Sequence, residues 1–91
     1  MINQINHVIS LANHELKKKE SIWDREQITN VILPEMHDLY THLIKNEKYF
    51  KYGHRQRMLI STYLITDSFE ELNKTELGKE IIELQHMYNE L

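Results

Sequence analysis

The feature that most limits how this chain can fold is the run from Met58 to Phe69, Met-Leu-Ile-Ser-Thr-Tyr-Leu-Ile-Thr-Asp-Ser-Phe, the most apolar stretch of its 91 residues. At about 100° per residue, a helix here sets Met58, Ile65, Phe69 and Leu72 on one stripe. Leu59, Ile60, Tyr63 and Leu64 then spread over much of the remaining circumference. A rod apolar on so many sides cannot lie at an edge with one face covered. Either its own chain surrounds it, or another molecule covers part of it. β-Branched and aromatic residues crowd positions 58 to 66, which is also strand composition, but no second strand is present to pair with it. A third helix from about His54 to Leu72 is predicted.

The segments around it read as three further helices. Ile2, Ile5, Ile9, Ala12 and Leu16 recur at three-and-four spacing, with Val8 widening the stripe, which predicts a first helix from about Ile2 to Lys19. Lys17, Lys18 and Lys19 close it at the negative end of the helix dipole. Trp23-Asp24-Arg25-Glu26-Gln27-Ile28 is a helix start, with Asp24 as cap, Gln27 reaching back to it, and Trp23 stapled on Ile28. The stripe that follows, Ile28, Val31, Ile32, Met36, Leu39, Leu43 and Phe50, keeps its phase past Pro34. One long helix from Asp24 to about Tyr52 is therefore predicted, bent at Pro34, which faces solvent, and stopped by Gly53. Leu72-Asn73-Lys74-Thr75-Glu76-Leu77 repeats the start signal with Asn73 as cap, and Leu77, Ile81, Leu84, Tyr88 and Leu91 stripe a fourth helix. Short connections make the fold an all-α, antiparallel up-and-down four-helix bundle in a single domain, residues 1 to 91.

The composition narrows the setting. A chain of this length hides only about 60–65% of its unfolded surface, so the core is modest. No apolar run reaches the roughly eighteen residues needed to cross a bilayer, and the N-terminus lacks the basic-then-apolar order of a signal peptide. A cytoplasmic location with no membrane partner is expected. Cysteine is absent, which excludes disulfides, thiolate metal sites and cysteine nucleophiles. Ile, Asn and Lys are plentiful while Ala and Arg are scarce, the bias of an AT-rich genome such as that of a low-GC bacterium or its phage.

Candidate chemistry is sparse. Glu83-Leu84-Gln85-His86 has the Glu-x-x-His spacing of carboxylate-bridged di-iron bundles, but the second motif and further inward carboxylates that such a site needs are missing. His7, His14 and His86 fall opposite the apolar stripes of their helices and should face solvent. Glu35 and His42 lie nearest the apolar stripe of the second helix; a hydrogen bond to a neighbouring helix is their ordinary role. No phosphate loop, nucleophile elbow or acid/base pair is present, so neither an enzyme nor a cofactor is expected.

The segment from Lys45 to Arg57 stands apart, because Lys45, Lys48, Lys51, Arg55 and Arg57 interleave with Tyr49, Phe50 and Tyr52 in a chain of net charge −3. After residue 65 acids outnumber the two lysines, Lys74 and Lys79, so the molecule is electrically two-ended. Arg55 and Arg57 at the start of a helix oppose its dipole, and an anion nearby would relieve both. Tyr and Arg together also anchor protein interfaces. The resulting expectation is a non-enzymatic helical protein of regulator, inhibitor, immunity or adaptor type. It binds a protein partner or itself as a homodimer, through Lys45, Lys48, Tyr49, Lys51, Tyr52, Arg55, Arg57, Leu59, Ile60, Tyr63 and Leu64. The alternative is a nucleic-acid-associated regulator using 45–57; it ranks lower, since the acidic remainder would repel a long polyanion.

Overall fold

Helix α1, Ile2–Lys17, buries Ile5, Val8 and Ala12, the middle of its predicted stripe. The computed structural model describes residues 1–45, 58–67 and 71–90. The first helix stops two residues before its predicted end, because Lys18 is extended at ψ 141°. Arg25 Nη1 reaches back to the Leu16 carbonyl at 2.8 Å, filling one of the acceptors that a helix leaves open at its C-terminus.

Helix α2 is continuous but not uniform. It comprises an α-turn at Arg25–Gln27, a π segment at Ile28–Ile32 and an α-helix at Leu33–Ile44. Its start follows the predicted capping box, with the Asp24 N–H donating to Gln27 Oε1 at 3.0 Å, and Trp23 and Ile28 both lie in the core. Pro34 is exposed as expected, but the irregularity lies one turn before it. The Leu33 N–H bonds the Ile28 carbonyl, five residues back, so the turn ahead of the proline is widened. In a regular α-helix the pyrrolidine ring would strike the carbonyl four residues behind it, and the wide turn is where the chain absorbs that conflict. The predicted continuation to Tyr52 and the stop at Gly53 lie outside the described residues.

Among the described residues helix α3 is shorter than the predicted span of His54 to Leu72, of which residues 54–57 and 68–70 lie outside the described part. It is Ile60–Thr66, entered through an extended Leu59 with ψ 146°. After it the chain turns at Glu71, with φ 58°, the only non-glycine residue of positive φ among those described. A 3₁₀ turn, Leu72–Lys74, leads into helix α4, Glu76–Asn89. The cap of α4 is Thr75 and not the predicted Asn73: Thr75 Oγ1 accepts from the Gly78 N–H at 3.0 Å and donates to the Leu72 carbonyl at 2.6 Å. Asn73 is taken up in the 3₁₀ turn, so the helix starts two residues later.

The described residues form a small all-α four-helix bundle. Gln4 and His7 of α1 lie beside Glu80, whereas Leu11 and His14 line a groove with Thr75, Glu76 and Leu77, so α1 and α4 run antiparallel. Helix α1 packs on α4 and α2, and α3 packs on α4 and on the π segment. One hydrophobic cluster joins all four, with Ile32, Met36, Leu39, Leu59, Leu72, Ile81 and Leu84 at 0% exposure. Among the described residues, no helix is long and apolar enough to cross a membrane.

Candidate functional site

Helix α3 sits where it does because two side chains from other helices hold its first turn. Glu35 on α2, 5% exposed, presents both carboxylate oxygens to it: Oε2 accepts from the Ile60 N–H and Oε1 from the Ser61 N–H, each at 2.7 Å. Gln85 on α4 offers Oε1 to the Leu59 N–H at 2.8 Å and to Thr62 Oγ1 at 2.9 Å, while its Nε2 donates to Asn89 Oδ1 at 2.8 Å. The Thr62 N–H closes on the Leu59 carbonyl at 3.0 Å. The donors that a helix start leaves open are thus matched without a local cap. Burying a carboxylate is costly, and two short charge-assisted bonds at the positive end of a helix offset that cost. Beside them the Ser61 hydroxyl is buried and has no hydrogen-bond partner among the described residues.

This arrangement explains why the described helix begins at Ile60 and does not run through Met58 and Leu59; His54 lies outside the described residues. Nothing local at Leu59 signals an N-terminus; the signal is Glu35, twenty-five residues before Ile60. The anion expected beside Arg55 and Arg57 is a separate matter, because both arginines lie outside the described residues. Gln85 was missed in the sequence, although it occupies the same face as Ile81 and Tyr88, at i+4 and i−3, where a polar side chain among apolar ones marks a buried hydrogen bond.

With its inner face held in this way, α3 turns a second face outward. Ile60, Tyr63 and Leu64 share it at i, i+3 and i+4. Tyr63 is 51% exposed, Ile60 is half-buried, and Leu64 is half-buried against the edge of the core. Leu59, by contrast, is fully buried within its own chain and offers nothing to a partner, which corrects its expected place in a contact surface. The extended backbone at Leu59 turns its side chain into the core just before the helix begins. Lys45 is exposed in the turn after α2. Lys48, Tyr49, Lys51, Tyr52, Arg55 and Arg57 lie outside the described residues.

Other large apolar side chains are more than a third exposed, but each stands at the end of an element or in a loop. Ile2 opens α1, Ile44 ends α2 and Ile22 is in the α1–α2 loop. Scattered singly, such residues are ordinary surface. Tyr63 differs in standing mid-helix between two apolar neighbours.

Among the described residues the histidines form no cluster. His14 and His86 are exposed, and His7 Nε2 is 4.0 Å from Glu80 Oε1. Among the described residues, no three His, Asp or Glu side chains gather as metal ligands. Two open grooves, of about 300 and 290 Å³, border the α1–α2 loop with mixed charges on their rims, Lys18 and Glu15 being common to both. Neither meets the Tyr63 face. Comparison with protein-family models, with curated proteins and with solved structures gives no match.

Proposed function

We propose that this chain is a non-enzymatic, cytoplasmic binding module that acts by protein–protein contact, with a second copy of itself as the partner. The observation that supports the reading most is Tyr63. A half-exposed tyrosine between two half-covered aliphatic residues, on a helix fixed from behind, is the kind of rigid amphipathic anchor that interfaces use. A two-fold axis beside α3 would set the Ile60/Tyr63/Leu64 face against its own copy, so that one patch serves both sides.

Size sets the strength. A stable interface covers about 800 Å² on each partner, and three side chains supply only part of that. Self-association is therefore in the micromolar range or weaker unless flanking residues join. Light scattering from about 10 µM to 1 mM checks this: the mass should climb from that of one chain toward that of two. A mass that stays at one chain across the whole range would reject the self-association reading.

A further inference from the structure

We infer that Glu35 and Gln85 form a polar clasp that makes α3 a separately opening unit of the bundle, so that the Tyr63 face is presented or withdrawn without unfolding of the other helices. The basis is the contrast between what α3 buries and what the other helices bury. Within α1 the buried residues are Ile5, Val8 and Ala12, and within α4 four of the six are Leu77, Ile81, Leu84 and Tyr88. Within α3 they are Ser61, Thr62 and Ile65, two of the three polar. A helix of seven residues does not hold itself together in water, and among the described residues its apolar hold on the core is Ile65, Leu59 just ahead of it, and the half-buried Leu64 at the core's edge.

The rest of the docking is hydrogen bonding to two side chains. Glu35 takes two N–H groups and Gln85 takes one N–H and one hydroxyl, all between 2.7 and 2.9 Å. Bonds of this kind are strong while the site is dry and are replaced by water once it opens, so they tend to be lost together. Helices α1, α2 and α4 keep one another covered through α1, which packs on both of the others. Elements with few apolar contacts and a polar attachment open at lower free energy than the whole molecule does. The Ser61 hydroxyl, fully buried in the docked state and unpartnered among the described residues, gains water on opening and favours release further.

The consequence for binding rests on the Tyr63 reading, but the opening unit does not, and amide hydrogen exchange on the 91-residue chain tests it alone. In the wild type, the amides of Leu59, Ile60 and Ser61 should exchange at one shared rate, faster than those of Val8 and Leu84. Glu35→Gln, which replaces one acceptor oxygen by a donor facing an N–H, should lower protection at Ile60 and Ser61 by about 10- to 100-fold. Val8 and Leu84 should change by less than about threefold. Thr62→Val provides a milder variant should Glu35→Gln fail to fold; loss of one bond to Gln85 should lower protection in α3 by about 3- to 10-fold, with α1 unaffected. Equal loss of protection in every helix, or none at Ile60 and Ser61, would overturn the clasp. A chain that shows the split pattern yet stays monomeric rejects only the self-association reading.

Discussion

At the scale of single residues, the positions that matter most are those where the backbone comes close to something or a polar atom is enclosed. Gly78 is the clearest. A Cβ there would overlap the Leu72 carbonyl oxygen and come within 2.8 Å of its carbon, while the Gly78 N–H is held by Thr75 Oγ1 at 3.0 Å. The obstruction is backbone, so it cannot swing aside as a flexible side chain would. Gly78→Ala should therefore cost about 2 kcal/mol or more, although alanine is the better helix former by close to 1 kcal/mol. Urea denaturation measures it, and a variant as stable as the wild type would show that the 3₁₀ turn is not held tightly against α4. Glu35 illustrates the same logic with charge: its carboxylate is tolerated in the interior because both oxygens meet N–H groups.

At the scale of elements, the helices whose signals are local were legible in the sequence, and those set by distant contacts were not. The stripes of the first and fourth helices are periodic within one segment: Ile5, Val8 and Ala12 of the first are buried, with Ile9 and Leu16 half-buried and Ile2 exposed, and Leu77, Ile81, Leu84 and Tyr88 of the fourth are buried. The Asp24–Gln27 capping box is equally local and is formed. The start of α3 depends on Glu35 and Gln85, which no window around residue 59 contains, and α4 begins late because Asn73 is drawn into a 3₁₀ turn. Of the candidate site, Tyr63 could be seen as a surplus apolar residue, but Leu59 could not be told from it, since helical periodicity does not apply to an extended residue. Helix α2 shows a third case, in which the position of Pro34 was plain but the widened turn that accommodates it was not. Because that turn removes most of the ring's clash, Pro34→Ala should raise stability by less than about 1 kcal/mol. A gain near the full cost of about 3 kcal/mol for proline inside a helix would mean that the ring is strained where it stands. A thermal melt followed by circular dichroism reads the difference.

At the scale of the whole molecule, a small core and one outward apolar face together shape the behaviour. Four helices share one hydrophobic cluster, and α3 is the member that connects that cluster to the surface, with Leu59 and Ile65 inside and Tyr63 outside. This split separates folding from association. A change at Leu59 or Ile65 should damage both, whereas a change at Tyr63 should reach association alone, because about half of the side chain is already in water. The decisive comparison is between Tyr63→Glu and the wild type by light scattering and thermal melting at matched concentrations. Self-association through the α3 face requires the variant to melt within a few degrees of the wild type and to remain at the mass of one chain where the wild type approaches two. A Tyr63→Glu chain that associates as strongly as the wild type would contradict it.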